Sequence, residues 1–309
     1  MKNDIDLFIP SYHRPNNLKT VKYFRSIDWE PSKIHVVIDS EAEDKADYDE
    51  AAEKMGFVLH VFDMAEARMR YDYIHRPSFA RRSAGQARNM FFDIASELGI
   101  DFYVVQDDDT SCYQKKYHGK HLGMATGEDV RNVFVYIRAM MKRRHIGLFG
   151  VSQTGDFIGG DNDKIFRKKV MNTTFYNIPY IYRGERGVQD DDTSLFTGVM
   201  NMGLFTGSIG DGLVLAQTAS AKQKGGLTDL YNECKLLNKA LVCPIQFPSA
   251  IFAEKQKKNG GRMHHHIVNK HLMPCIIRND GGRDNIAWDT YPEDTPFTQE
   301  KIVQYENYY

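Results

Sequence analysis

A chain of 309 residues can bury one large α/β core or two smaller ones, and 42% hydrophobic with 26% charged residues is ordinary for a soluble globular protein. A formal charge of −1 excludes a global pull towards nucleic acid or anionic membrane, so any such partner must be met by local patches. No apolar run approaches bilayer-spanning length, so no membrane span, and no membrane partner, is expected. The four cysteines (Cys112, Cys234, Cys243, Cys275) are widely spaced, without a CxxC pair or an apolar N-terminal segment before them. That pattern predicts reduced thiols in a cytoplasmic setting.

Asp4 to Tyr12 reads as an apolar strand running into a His13-Arg14-Pro15 turn, with Asn16 or Asn17 placed to cap a helix through Val21 and Phe24. Lys33 to Ser40 is a second strand ending in Asp39, followed by an acidic-surfaced helix over roughly 41–55 and a third strand over Val58 to Phe62. This alternation predicts an α/β protein with a mostly parallel sheet. Ala65 to Arg82 reads as irregular and basic.

The stretch from Ala87 to Ser111 organises the rest. Met90, Phe91, Ile94 and Leu98 recur at helical spacing, Gly99 stops the helix, and Phe102 to Val105 is a strand apolar on both faces. Asp107, Asp108 and Asp109 then emerge at its carboxyl end, where ligands bind in open α/β sheets. Three adjacent carboxylates repel one another unless a cation neutralises them, and hard oxygen ligands suit Mg²⁺ or Mn²⁺ shared with substrate phosphates. The pattern predicts a metal site holding a phosphorylated ligand; the plain alternative is a solvated acidic turn.

Tyr113 to Leu122 reads as a polar, basic loop, and Thr126 caps an amphipathic helix with Val130, Val133, Phe134, Ile137 and Met141 on one face. Ile146 to Val151 is a strand, 154–163 a loop rich in glycine and aspartate, and 168–183 one or two strands. A loop and helix over 184–203, a strand over Gly212 to Gln217, a KQKGG turn at 222–226 and a helix over 228–240 follow. Val242 to Phe252 reads as a strand with two prolines, 254–266 as the most basic stretch, and the tail from Asp280 as acidic.

The hexapeptide QDDDTS occurs twice, at 106–111 and 189–194, without a wider repeat. At the second copy, carboxylates in a helix's first turn are favoured by its dipole even without a function. The functional alternative puts Asp192 on one inward face with Leu195, Phe196 and Val199, aimed at a pocket as a general base.

Taken in order, IPSYHRP, VVIDS, the GQARN helix running into a DxD-type triplet, and QDDDTSLFTGVMNMG resemble a GT-A glycosyltransferase over roughly residues 4–204. The resemblance implies a Rossmann-like mixed, mostly parallel sheet flanked by helices. It also implies that Asp107 and Asp109 hold Mn²⁺ or Mg²⁺ against the diphosphate of a UDP-sugar. Pro10, Ser11, Arg14, Asp39, Arg81, Arg88 and Asp108 would line the donor, with Arg88 at the phosphates and Asp39 at the base or ribose. Asp39 could equally cap the helix after it. The family's general base falls on Asp190-Asp191-Asp192, where the spacing to Leu195 and Gly203 favours Asp192, with Asp191 next. A late histidine that often completes the metal shell would be His264; otherwise the histidine run is a basic turn. Residues 1–245 would form the transferase domain, its nucleotide-sugar half ending near 110 and its acceptor half spanning 111–245. Residues 246–309 would be a basic segment and acidic tail packed on that domain.

SYHRP, ARRSAGQARN and the doubled DDD are also similar to the TET/JBP-associated glycosyltransferases, often phage-encoded, which are proposed to glycosylate hydroxymethylated pyrimidines in DNA. That similarity implies a hexosyltransferase with a DNA acceptor, working in a host cytoplasm. The basic stretches at 68–82, 115–120, 222–224 and 255–262 would then track phosphates, or are solvated loops. Tyr113, Tyr117, His118 and Phe157 could stack on an extruded base. Other acceptors (a glycan, lipid or protein), a haloacid-dehalogenase-like phosphatase and a non-catalytic DNA-binding module are the competing readings.

Overall fold

The first seventy residues alternate strand and helix: β1 (Asp6–Pro10), α1 (Lys19–Ser26), β2 (Ile34–Asp39), α2 (Lys45–Met55), β3 (Val58–Phe62) and α3 (Met64–Arg70). Next come α4 (Ala84–Glu97), β4 (Phe102–Gln106), β5 (Thr110–Tyr117), β6 (Lys120–Met124), α5 (Gly127–Arg143), β7 (Ile146–Gln153) and β8 (Thr173–Asn177). The last elements are α6 (Asp191–Asn201), β9 (Phe205–Gln217), β10 (Ile251–Lys255) and β11 (Met263–Ile267). This computed structural model describes residues 4–71, 84–117, 120–143, 146–153, 169–178, 190–217, 240–256, 261, 263–268 and 271–272. Arg81, the 154–163 and 222–226 loops, His118, Phe157, nearly all of the 228–240 helix and the acidic tail lie outside the described residues.

Among the described residues nine strands form one sheet, in the order β3-β2-β1-β4-β8-β7-β9-β5-β6. It is parallel from β3 through β4 and mixed beyond, because β8 runs antiparallel to both β4 and β7. Strand side chains alternate between faces, and the sequence supplies apolar residues at both phases. Leu7, Ile9, Val36, Ile38 and Val104 pack on one side with Phe24 of α1, Tyr48 of α2 and Phe134 of α5. Phe8, Val37, Tyr103 and Val105 pack on the other with Met64 of α3, Phe91 of α4 and Val199 of α6. Two apolar layers cover the sheet, and the β4 carboxyl end is left for the turn that carries Asp107 to Asp109.

Local signals set several element ends. Thr126 and Asp129 form a reciprocal capping box, with Asp129 N donating to Thr126 Oγ1 at 3.1 Å and Thr126 N to Asp129 Oδ2 at 2.9 Å. Gly99 ends α4 at φ +69°, a backbone angle glycine adopts at little cost.

Other elements depart from the sequence expectation. The stretch expected as a loop at 113–122 is the β5/β6 hairpin; β5 adds to β9, and among the described residues its buried apolar side chain is Tyr113. One residue is too short a signal for alternation. The segment from Ala65 begins in α3, because Asp63 caps that helix by accepting from Ala65 N and Glu66 N. β9 starts seven residues earlier than expected, since its first half pairs with β7 and only its second with β5. Residues 240–246 are helical and the strand begins at Ile251, with Pro248 in the turn between them, where no ladder donor is needed. At α1 the cap position is Leu18 rather than an asparagine.

On the Phe8 side, His35 stacks against the Phe8 ring (centroids 4.7 Å), meets Asp6 Oδ1 through Nε2 at 3.0 Å and His60 through Nδ1 at 2.9 Å. Lys33 also reaches Asp6, at 3.1 Å. Burial, aided by the neighbouring His35, lowers His60 to about 4. The native state therefore favours neutral His60, while the unfolded chain takes up a proton below its ordinary value near 6.5. Stability from this residue is present above that value and is lost as pH falls towards 4. After discounting for partial exposure the loss is about 1–2 kcal/mol. Urea unfolding at pH 7 and pH 5 should show wild type losing that much more than His60→Gln; equal losses would remove the assignment.

Candidate active site

The turn at the end of β4 is held from beneath before its carboxylates come into play. Gln106 is fully buried, and its Oε1 accepts from Tyr113 Oη at 2.6 Å and Thr173 Oγ1 at 2.8 Å, tying β4 to β5 and β8. The first turn of α1 fixes the backbone that follows: Thr20 N donates to Asp108 O at 3.2 Å, and Thr20 Oγ1 donates to Asp107 O while accepting from Thr110 N. The carboxylates leave this pinned backbone towards different partners.

Asp108 turns to the β1 side. Arg14 Nη1 donates to its Oδ1 at 2.6 Å and Ser11 Oγ to its Oδ2 at 3.1 Å. Tyr48 of α2 braces both partners, lying 2.7 Å from Ser11 Oγ and accepting from Arg14 N at 3.0 Å. Burial pushes Asp108 up to about 6 even though Arg14 pulls the other way. Asp107 turns to α4, where Arg88 Nη2 donates to its Oδ1 at 2.7 Å. The other terminal nitrogen of Arg88 meets Asp191 Oδ2. One guanidinium thus joins the first aspartate of one QDDDTS copy to the second aspartate of the other. Burial raises Asp107 to about 6, opposed by Arg88 and reinforced by Asp109 and Asp191. Asp109 is buried and is also raised, by burial and then by Asp108.

The second copy opens α6. Asp190, buried and at φ +60°, accepts through its carbonyl from Thr193 N and Ser194 N at 3.0 Å each. Its Oδ2 lies 2.9 Å from His265 Nδ1. Asp192 is half-buried and pairs with Lys169 Nζ at 2.8 Å. Leu195, Phe196 and Val199 are buried as expected, but of the three aspartates it is Asp191 that reaches Arg88.

The remaining candidate residues distribute as follows. Pro10 ends β1 opposite Val37 of β2, and Ser11 N continues the ladder to Val37 O at 3.1 Å. Asp39 ends β2 buried, and its Oδ1 accepts from Glu41 N at 2.9 Å. That bond closes a local turn, and α2, which starts at Lys45, has Asp44 at its cap position without a side-chain cap bond. His264 lies on β11 opposite Glu254, its ring 4.5 Å from that of His265, and His265 is the histidine in contact with Asp190. Thr20, Tyr48, Lys169 and His265 escaped sequence reasoning. Only the histidine run carried a signal, and choosing among three consecutive strand residues requires knowing the pairing.

The oxygen donors suit a divalent cation of the Mg²⁺ or Mn²⁺ kind, and Asp107 and Asp109 are raised first by burial and then by neighbouring carboxylates, a setting in which a bound cation would favour their charged forms. Among the described residues no three His, Cys, Asp or Glu side chains converge to hold an ion on their own. Such a cation would be held by one or two carboxylates, with diphosphate oxygens and water completing its shell. Among the described residues no helix is long and apolar enough to cross a membrane.

A comparison of the sequence with curated proteins gave no match. A comparison with solved structures gave, among others, three similar chains. They are 4-diphosphocytidyl-2C-methyl-D-erythritolsynthase from Anaerococcus prevotii (11% identity, 68% of this chain and 87% of that one, TM-score 0.39), mouse xyloside xylosyltransferase 1 (12%, 74% and 92%, 0.36) and mannose-1-phosphate geranyltransferase from Thermus thermophilus (9%, 69% and 75%, 0.32). At such TM-scores these likenesses carry no argument about the site. The profile of TET-Associated Glycosyltransferase matches residues 5–226, which include both aspartate clusters, both arginines and the strands that carry them. The chain therefore belongs to the TET-associated glycosyltransferase family.

Proposed function

We propose that the protein moves a hexose from a UDP-sugar to the hydroxyl of a hydroxymethylated pyrimidine in DNA, with Mg²⁺ or Mn²⁺ at the donor diphosphate. The observation that carries this reading is the Arg88 bridge, which draws Asp107 and Asp191 to one guanidinium. Arg88 and Arg14 would donate charge-assisted bonds to the diphosphate, and Asp39, at the end of β2, would meet the ribose or base. Asp107, with Asp109 behind it, would hold the cation, whose contribution is to neutralise the leaving diphosphate. Asp191 takes the proton from the acceptor hydroxyl as its oxygen bonds to the anomeric carbon. The sugar–phosphate C–O bond breaks, and its electron pair leaves on the diphosphate. Asp192, engaged by Lys169, is the second choice as base.

DNA as acceptor is supported by the family and by the sequence similarity; among the described residues, side chains of the basic stretches are drawn into ion pairs. Arg68 pairs with Glu41, Arg70 with Glu66 and Asp93, and Lys115 with Asp129. Incubating the protein with a divalent cation, a panel of nucleotide sugars and either hydroxymethylated or plain DNA, then reading nucleosides by mass spectrometry, tests the whole proposal. A hexose added only to the hydroxymethylated base is the expected outcome. Sugar appearing on a glycan, lipid or protein acceptor and on neither DNA would overturn the acceptor and keep the transferase.

A further inference from the structure

Residues 240–246 and the β10/β11 hairpin lie beyond the family-matched segment, yet they close on the residue immediately before the proposed base. Asp190 holds a left-handed conformation (φ 60°, ψ 32°), uncommon for a residue with a side chain although aspartate tolerates it. Its carboxylate makes no side-chain cap bond to α6, whose first backbone bonds run to the Asp190 carbonyl; instead Oδ2 approaches His265 Nδ1 to 2.9 Å, a buried close contact outside hydrogen-bond geometry, with the two side chains 3% and 8% exposed. Cys243 Sγ donates to the Asp190 carbonyl at 3.7 Å and lies 3.7 Å from Ser194 Oγ, while Ser194 Oγ donates to Gln246 Oε1. Burial pushes the Cys243 thiol up to about 12, so it sits there as a neutral donor. Residue 190 is thus contacted at its side chain by His265 and bonded at its carbonyl by Cys243, both outside the family match.

We infer that His265 is a positioning residue: it locks Asp190 in its left-handed turn and so aims Asp191 at the reacting centre. This rests on Asp191 being the base. A turn about Asp190 would swing the first turn of α6, and displacement of a reacting group by about 1 Å can cost on the order of a hundred-fold in rate. The inference differs from a metal-ligand role for a late histidine, because His265 Nδ1 faces the carboxylate of the residue that opens α6.

The test uses the full chain and four variants: His265→Leu, His265→Asn (whose amide nitrogen can stand where Nδ1 sits), Asp190→Gly, and the Asp190→Gly/His265→Leu double. Turnover is read as nucleoside diphosphate released from the donor, donor affinity by calorimetry, and local order by hydrogen exchange at the Thr193 and Ser194 amides, which bond to Asp190 O. Expected for His265→Leu is a turnover about 10–100-fold lower, an unchanged donor Kd and faster exchange at both amides. His265→Asn should restore most of each, and the double variant should be no worse than Asp190→Gly alone. A lowered Tm with turnover and exchange unchanged would overturn the inference, as would turnover and Kd worsening together, or an asparagine variant as poor as leucine. If the wild-type protein releases nucleoside diphosphate from no donor, the transferase reading fails, while the exchange data still decide whether His265 orders the α6 cap.

Discussion

Arg88→Met should lower turnover by about 10²–10³-fold and weaken donor binding, the cost typical of losing one preorganised charge-assisted donor to a developing anion. The substitution keeps much of the side chain's length and removes only the fork that reaches Asp107 and Asp191 together. Arg88→Lys should rescue little, since a single ammonium cannot present two nitrogens to two carboxylates in a fixed plane. The free protein feels the loss as well, because Asp107, already raised by burial, Asp109 and Asp191, would lose the guanidinium that opposes them. Calorimetric donor binding beside nucleoside diphosphate release separates the two effects. Unchanged binding and turnover in Arg88→Met would show that the bridge joins the acidic clusters for stability alone.

How much of this site the sequence discloses depends on the range of the interaction involved. The β1, β2 and β4 strands are contiguous apolar runs, and the carboxyl-end rule then places Ser11, Asp39 and Asp107 on one edge without any knowledge of pairing. Repetition of QDDDTS pointed to a second acidic site, and helix periodicity found the buried face of α6. Between Asp191 and Asp192 the sequence favours Asp192, because periodicity ranks a helical position by its apolar neighbours. It does not see the ion pairs that separate the two, Asp191 with Arg88 and Asp192 with Lys169, whose partners arrive from α4 and from just before β8. His265 was hidden for the same reason: a run of three histidines names no inward member until β10 sets the register. The β5/β6 hairpin is hard to read because polar and basic side chains dominate a strand whose buried anchor, among the described residues, is Tyr113.

Asp108→Ala should destabilise the protein by about 3–5 kcal/mol, the cost of removing one partner from a buried ion pair and leaving the other charge in place. Arg14 and Asp108 are 8% and 9% exposed and 2.6 Å apart, so water cannot replace the lost carboxylate without opening the β1 turn. This large penalty does not make the pair a net source of stability. Burial raises Asp108 to about 6 against the pull of Arg14, which means that desolvation outweighs what one guanidinium returns. Removing both charges together should therefore cost far less than removing one: Arg14→Met with Asp108→Leu is expected within about 1 kcal/mol of wild type, or above it. Urea unfolding of the wild type, the single variant and the double decides the matter. A single variant within 1 kcal/mol of wild type, or a double as unstable as the single, would mean that the pair is solvated in solution. The expected pattern would instead mark it as a charge arrangement kept at a stability cost, consistent with Arg14 being reserved for a phosphate.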